Sequence, residues 1–171
     1  MRRVWLPTAG VMGAVALALA VAVGVMLADL GRLQAAEAAG REALAAARSV
    51  ASDMLSYDYR TIEQDLARAA GYATGELTGH YRRLSATLAP AARRQQAVQS
   101  ATVAGAAVES AGPDRAEVLL LVNMSVAKIP AGEKAPRRQV SQSRARFVMV
   151  NKDGRWLVAE LSTLLGAPPS P

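Results

Sequence analysis

Cysteine is missing from this 171-residue sequence, and histidine occurs only once, at His80. Disulfide bonds and thiolate chemistry are therefore excluded, and the fold has to be held together by burial of apolar surface alone. Zinc takes three or four ligands from Cys, His and carboxylate side chains, so a single histidine does not predict a metal site. We expect no cofactor and no resident metal.

Charged side chains are also missing from Val4 to Ala28, whereas Arg2 and Arg3 precede this stretch and Asp29 follows it. As an α-helix, about 25 residues at ~1.5 Å each span roughly 37 Å, which exceeds the ~30 Å hydrocarbon core of a bilayer. A buried helix of a soluble protein is seldom so long without a charge. The pattern predicts a short cytoplasmic tip and a transmembrane anchor within residues 1–28.

A cleaved secretory signal is the competing interpretation of this stretch. Its apolar region is usually about 7–15 residues long and ends at a small-residue cleavage site. The triplet Ala18-Leu19-Ala20 has a suitable composition but lies in the middle of the apolar run, so we expect the helix to be retained. Because positive residues stay on the cytoplasmic side, Arg2 and Arg3 predict a single-pass plasma membrane protein with a cytoplasmic N-terminus and residues 29–171 outside.

The length that remains after the anchor fits one ordinary domain. We expect an extracytoplasmic domain over residues 29–165 and a disordered tail, rich in proline, over 166–171. The net charge of +6 is the kind of excess seen in nucleic-acid binders, but an exported, anchored domain seldom meets nucleic acid. Anionic membrane lipid or an acidic protein is the expected partner, and nucleic acid is not.

Two helices are indicated directly after the anchor. The first covers about Leu30 to Leu55, is rich in good helix formers and has no proline or strong turn separating it from the anchor. It should therefore continue the membrane helix into the domain. The second covers about 61–70, where Thr61 and Gln64 have the spacing of a capping box.

A third helix is predicted over about 74–88. The apolar residues Leu77, Tyr81, Leu84 and Leu88 recur at i, i+4, i+7 and i+11, which places them on one face. Pro90 lacks a backbone N–H and is expected to end this helix.

Alternation of apolar and polar residues replaces the helical period in the rest of the chain. It is clearest where Val122, Met124 and Val126 alternate with Asn123 and Ser125, which is typical of a strand with one buried face. Helices gathered before strands predict an α+β fold, with helices packed on one face of a curved four-stranded antiparallel sheet. The predicted strands are 97–110, 115–128, 138–150 and 154–163.

The segment Leu55–Ala69 contains an aromatic-Asp-aromatic turn, and Thr74–Leu77, Tyr81 and a Gly-x-Trp-Leu-Val run at Gly154–Val158 follow it. This order of parts resembles the Mce-associated membrane proteins of actinobacteria, over nearly the whole chain. The resemblance implies an NTF2-like, VirB8-like α+β cone and an accessory role beside Mce complexes, which import lipids or sterols across the envelope. It also implies Mce subunits or other envelope proteins as partners.

Candidates for catalysis are few. His80 lies beside the apolar face of its helix, which fits an exposed or edge-packed residue better than a proton carrier. NTF2-like relatives include enzymes that use an acidic base in the cone, so Asp58 is the second candidate. Its position in a turn before a helix favours a structural role, in which the carboxylate accepts backbone N–H bonds. The sequence therefore predicts a protein that is not an enzyme.

Two sets of residues are candidates for interaction. Tyr57 and Tyr59 flank Asp58 in the turn, and packing against the core competes with a contact surface for another subunit. A stripe of small residues in the anchor would let a second helix approach closely, although alanine is common enough here for chance to produce it. The stripe consists of Ala16, Ala20, Gly24 and Ala28.

Several arginines follow the anchor, among them Arg82, Arg83, Arg93 and Arg94, and others near and on the third predicted strand. A solvated face is their usual explanation. Binding of acidic lipid is the alternative, because the anchor holds the domain near headgroups.

The leading hypothesis from the sequence is a non-catalytic accessory subunit that stabilises an Mce-type lipid or sterol import complex. The alternative is a lipid- or sterol-binding module that uses the concave face of the sheet.

Overall fold

Three helices and one antiparallel sheet make up the computed structural model, which describes residues 5–130, 132–133 and 135–165, with side chains described between residues 17 and 163. The α+β fold is confirmed. Residues 1–4 and the tail predicted over 166–171 lie outside the described residues. The helices are α1 (Trp5–Leu55), α2 (Ile62–Gly71) and α3 (Glu76–Gln95). The strands, in sheet order, are β1 (Tyr57–Asp58), β2 (Val98–Ala111), β3 (Arg115–Lys128), β4 (Arg137–Lys152) and β5 (Arg155–Leu165).

Helix α1 runs without a break for 51 residues, or about 76 Å. The expected continuation of the apolar helix into the domain is therefore confirmed. Every side chain from Leu17 to Ala35 is exposed, and by length and composition the described helix is suited to cross a membrane. Burial against the rest of the protein begins near Ala39.

The C-terminal part of α1 packs on the concave face of the sheet through alanines. Ala43, Ala47 and Ala51 are fully buried and recur every fourth residue, so they line one face of the helix. Their small size lets the helix lie close to β2. At Gly40 the approach is so close that an added Cβ would lie 3.1 Å from the Ala111 Cβ.

Contacts along α1 fix its direction relative to the sheet. Gly40 lies beside Val108 and Ala111 at the C-terminal end of β2. The Leu55 carbonyl, 15 residues further along α1, accepts a 2.7 Å hydrogen bond from Gln99 Nε2 at the opposite end of β2. The start of β2, the end of β3 and the start of β4 therefore form the end of the sheet farthest from the exposed half of α1. We call this the distal end.

Irregular pairing gives the sheet its curvature. The register between β2 and β3 shifts between Val103 and Gly105 and again between Val108 and Ser110. A bulge of this kind bends the strand and increases its twist. The curved inner face carries the core, whose largest fully buried members are Ile62, Val118, Leu120, Val122, Phe147, Met149 and Val158.

The sheet has a fifth strand that the sequence does not indicate. The four long strands lie close to their predicted bounds, and the additional strand β1 pairs antiparallel with β2 through Tyr57 opposite Gln99 and Asp58 opposite Val98. The prediction of four strands was therefore wrong by one. Two residues are too few to show an alternating pattern, so only the pairing identifies β1 as a strand.

Pro90 does not end the third helix, contrary to prediction. Helix α3 continues to Gln95 with Pro90 inside it. Pro90 is exposed, so water can reach the carbonyl that its missing N–H leaves unpaired, whereas Ala89 and Ala92 are buried and hold the turn against the core. Tertiary packing therefore outweighs the local cost of the proline.

Candidate functional site

The turn between α1 and α2 is organised by Asp65, a role that was not predicted from the sequence. Asp65 Oδ2 accepts hydrogen bonds from the backbone N–H of Asp58 at 3.0 Å and from the Thr61 hydroxyl at 2.9 Å. Its Oδ1 accepts a 2.8 Å bond from Arg68. The capping box predicted at Thr61 and Gln64 is wrong, because Thr61 makes no side-chain capping bond and donates to Asp65 instead. Asp65 lies four residues after Thr61 and three before Arg68, and this spacing could have indicated both hydrogen bonds from the sequence.

Asp58 acts inside the same turn. Its Oδ1 accepts a 2.9 Å hydrogen bond from the backbone N–H of Arg60, and its backbone carbonyl accepts one from the N–H of Thr61 at 3.0 Å. These are bonds of a carboxylate that shapes a loop. The geometry therefore gives Asp58 a structural role in the turn.

The two tyrosines beside Asp58 have different surroundings, although both are half-buried. Tyr57 faces the concave side of the domain and lines a cavity there, and burial raises the pKa of its hydroxyl. Tyr59 packs partly against the core and carries the Arg60 guanidinium 5.0 Å above its ring centre. Tyr57 is therefore part of a concave site, and Tyr59 is part of the outer edge.

A cavity of about 310 Å³ lies between α3, the end of α1 and the sheet, and we call it the inner cavity. Most of its wall is apolar, and several wall residues are only half-buried, so apolar surface is left uncovered. Burial in this wall raises the pKa of Tyr81 to about 12, and the Tyr81 hydroxyl donates a 2.9 Å hydrogen bond to the Met54 carbonyl. The half-buried apolar wall residues are Tyr57, Leu77, Leu84, Leu88, Met124 and Leu161.

A second concavity of about 610 Å³ lies at the distal end, and we call it the outer cavity. It abuts the inner cavity, because Gln99 and Met124 line both. Its rim contains the exposed cations Lys128, Arg137 and Arg138. We call these two adjoining cavities the cleft; its inner part is largely apolar and its outer part has a basic rim.

Along the cleft, the inner face of β4 changes from apolar to polar. Phe147 and Met149 are buried on its inner face, whereas Arg137, Gln139 and Ser141 continue the same alternate positions at the distal end. Between these two sets lies Ser143, whose buried hydroxyl has no hydrogen-bond partner among the described residues. The inner face therefore turns from apolar to polar and then basic with distance from the exposed half of α1.

The remaining sequence candidates do not form one site. His80 is exposed but lines the inner cavity, and its ring meets the edge of the Tyr81 ring at a centroid distance of 6.3 Å. Ala20, Gly24 and Ala28 are exposed on α1, and no atom of the described part of the chain lies within 4 Å of a Cβ built on Gly24. Ala16 lies outside the residues whose side chains are described.

Part of the basic excess lies at the end of the sheet away from the exposed half of α1. Arg93, Arg94, Arg137 and Arg138 all lie at or next to the distal end, where the carbonyl of Gln95 accepts a hydrogen bond from Ile129. Arg93 pairs with Glu63 at 2.6 Å and Arg137 with Glu133 at 2.7 Å. On the convex face Arg146 pairs with both Glu109 and Glu117. Some of the cations at the distal end are therefore neutralised by carboxylates.

Comparison with known proteins relates most of the chain to a mycobacterial family. A family profile described as "Uncharacterized protein Rv1363c/MT1408-like" matches residues 8–162. The outer membrane protein Rv1973 of Mycobacterium tuberculosis (strain ATCC 25618 / H37Rv) is 33% identical over 156 residues, which cover 91% of this chain and 94% of that protein. The name of this relative and the apolar N-terminal helix indicate membrane association for this chain.

Solved structures with the same fold come from secretion and conjugation systems. An IcmL-like type IV secretion system protein from Legionella pneumophila matches with a TM-score of 0.56 at 12% identity, over 77% of this chain and 96% of that one. An Ntf2-like protein involved in plasmid conjugation matches with a TM-score of 0.51 at 16% identity, over 77% of this chain and 50% of that one. Such low identities show the fold alone, and they confirm the NTF2-like cone. By the extent of the profile match, the chain belongs to the Rv1363c/MT1408-like family.

Proposed function

We propose that this protein is a non-catalytic accessory subunit that stabilises an Mce-type lipid or sterol import complex in the cell envelope. The observation that carries the proposal is the unbroken helix α1, whose exposed apolar half continues directly into the alanine face on which the sheet packs. A rigid joint of this kind transmits the position of the anchor to the domain. The names of the relatives support an envelope protein. The resemblance of Leu55–Ala69 to Mce-associated proteins is the reason for proposing an Mce complex as the partner.

The proposed topology is a single-pass plasma membrane protein, with residues 1–28 as cytoplasmic tip and anchor and residues 29–165 outside. Because the chain has no cysteine, one introduced cysteine can be labelled without background. Ser100→Cys, at an exposed strand position, should react with a membrane-impermeant maleimide in intact cells stripped of their outer layers. Protection of this cysteine until the cells are lysed would reverse the topology. An N-terminus found beyond residue 28 in the mature protein would show a cleaved signal.

Crosslinking from native membranes tests the partner. We expect affinity purification of the crosslinked full-length chain to recover Mce subunits well above the level recovered with an unrelated single-pass protein of equal abundance. A stable complex that contains other envelope proteins and no Mce subunit would contradict the assignment to an Mce system.

The small-residue stripe of the anchor is proposed as the docking face for another membrane helix. Ala20→Ile with Gly24→Ile should lower recovery of the complex, because bulky side chains keep two helices apart. Ala18→Ile with Ala22→Ile makes the same kind of change on the opposite side of the helix and serves as the control. Equal recovery with both pairs would exclude docking through this stripe.

A lipid- or sterol-binding module is the second candidate function, and the uncovered apolar wall of the inner cavity favours it. Ligand sites are usually concave, largely apolar and about 300–1,000 Å³ in volume, and both parts of the cleft fall within that range. Native mass spectrometry after gentle extraction distinguishes the candidates. Co-purified lipid supports a binding module, and co-purified transporter subunits support a scaffold.

A further inference from the structure

We propose that the cleft binds one single-chain anionic amphiphile of the fatty-acid type, with its carboxylate at Lys128 and its chain passing Met124 into the inner cavity. This inference rests on the second candidate function and specifies its ligand. It distinguishes an acyl chain with a charged end from an uncharged sterol.

The inner cavity supplies a wall suited to a hydrocarbon chain. Leu84 and Leu88 on α3 face Met124 on β3 across the cavity, and all three are half-buried. Half-buried leucine and methionine side chains leave apolar area in contact with water, and an acyl chain would remove that area from water at about 25 cal/mol per Å². Methionine is also flexible enough to adapt to a chain that passes over it. The wall therefore favours an apolar occupant over water.

The opening of the cleft has an arrangement of charges that an anion would stabilise. Lys128 lies directly opposite Arg137 in the pairing of β3 and β4, and like charges in such a pair repel. Glu133 neutralises Arg137 through a 2.7 Å ion pair. Lys128 forms no ion pair within the described residues and is exposed at the rim. A bound carboxylate would pair with Lys128 and offset its repulsion with Arg137.

The dimensions favour one chain. At about 310 Å³ the inner cavity lies at the lower limit for ligand pockets, which suits a single acyl chain better than the two chains of a phospholipid. The wider outer cavity, about 610 Å³, leaves room for the charged end and its water. The amphiphile therefore enters with its tail first and keeps its charge at the rim.

The position of the opening indicates where the ligand would be exchanged. Because it lies at the distal end, beyond Leu55 and away from the exposed half of α1, it faces away from the membrane that would hold the anchor. The amphiphile would therefore be exchanged with another protein or another lipid surface rather than taken up from the anchoring bilayer.

Photocrosslinking of the full-length chain in nanodiscs of zwitterionic lipid tests this proposal. The probes are palmitic acid, hexadecanol and cholesterol, each carrying a diazirine, and labelled peptides are mapped by mass spectrometry. We expect the palmitic acid probe to label peptides of the cleft about tenfold more than the hexadecanol probe, as expected for about 1.4 kcal/mol of interaction with the charged end. Equal labelling by the acid and the alcohol overturns the proposal.

A charge-matched pair of variants locates the carboxylate. Lys128→Gln should reduce labelling by palmitic acid about tenfold. Lys152→Gln removes one exposed lysine, which also lies opposite an arginine on the neighbouring strand, from the opposite end of the sheet and should change labelling less than about twofold. Equal loss with both variants would show only general electrostatic attraction and would overturn the proposed site.

Blocking the cleft locates the chain. Met124→Trp should abolish labelling inside the inner cavity while the rim cations remain, and Leu88→Trp on the opposite wall replaces it if Met124→Trp lowers the melting temperature. Unchanged labelling in a folded blocked variant overturns the proposed path. Labelling by cholesterol alone overturns the anionic ligand but preserves a lipid-binding module. Absence of labelling with all three probes, while transporter subunits are still recovered, overturns the binding module and leaves the scaffold intact.

Discussion

The two halves of α1 carry similar stripes of small residues with opposite surroundings. Ala20, Gly24 and Ala28 recur every fourth residue in the N-terminal half and are exposed. Ala43 and Ala47 recur at the same spacing in the C-terminal half and are fully buried against the sheet. The difference teaches that a small-residue stripe is a packing surface only where another element supplies the opposing face.

The residues around each stripe explain the difference. The exposed half has apolar side chains all round the helix, as suits a helix whose surroundings are lipid. In the buried half, polar residues such as Arg41 and Arg48 occupy the side away from the sheet, so the helix is amphipathic. Between the halves, the exposed pairs Asp29–Arg32 and Glu37–Arg41 give a charged helical segment that separates the apolar half from the buried half.

The largest effect is expected from bulk added to the buried stripe. Ala47→Leu should lower the free energy of unfolding by about 3 kcal/mol, because its added carbons have no space against the sheet. Ala20→Leu adds the same atoms to the exposed stripe and should leave the melting of the domain unchanged. Thermal denaturation of the full chain in one detergent measures both. Equal shifts would contradict the difference between the two halves.

A smaller effect is expected where the buried half of α1 ends. Asp65→Ala should destabilise the domain by about 2 kcal/mol, because a largely buried carboxylate with three hydrogen bonds is lost and the N–H of Asp58 loses its partner. Asp58→Ala removes a more exposed carboxylate and should cost about 1 kcal/mol or less. Chemical denaturation gives both values, and a larger loss for Asp58→Ala would contradict the central position of Asp65.

Tyr81 on α3 donates a hydrogen bond to the end of α1, and its raised pKa predicts that the stability of the domain depends on pH. Its pKa is raised to about 12 in the folded state from an ordinary value near 10, so above pH 10 the unfolded chain loses this proton more readily than the folded chain. The stability that Tyr81 contributes is thus complete below pH 10 and is lost as the pH rises towards 12. Tyr81→Phe should cost about 1 kcal/mol at pH 7 and flatten the fall of melting temperature above pH 10. An unchanged slope would contradict this cause.

The smallest effect compares two glycines of the same helix. Gly31 has no described neighbouring atom within 4 Å of an added Cβ. Gly31→Ala should therefore stabilise the helix by up to about 1 kcal/mol, the difference in helix propensity between glycine and alanine. Gly40→Ala gains the same propensity but places its Cβ 3.1 Å from the Ala111 Cβ, so its net effect should be lower. Circular dichroism and thermal melting measure the two variants. A greater gain at Gly40 would show that the sheet yields easily there.

Long elements were the parts of the fold that the sequence made predictable. The uncharged run and the alternation around Met124 each extend over enough residues for their period to show, and the four long strands lie near their expected bounds. Short or context-dependent features were missed. Strand β1 has two residues, and Pro90 stays helical because of the burial of its neighbours.

The candidate site was only partly visible in the sequence. Tyr57 was recognised as a turn residue, but its place in the cavity wall depends on the pairing of β1 with β2. At the rim, the register of β3 and β4 places Lys128 opposite Arg137. Such a pairing joins residues separated by a loop, and neither the composition nor the period of either strand specifies it.

The sequence by itself determined an apolar helix, a chain without disulfides and an α+β order of elements, because these depend on charge, composition and local period. The tertiary structure alone decided which small-residue stripe is buried, that Asp65 organises the turn, and that an apolar cleft opens through basic residues at the distal end. The reason is physical: burial and the pairing of charges arise only when distant segments are brought together, and the curvature of the sheet sets how closely they meet.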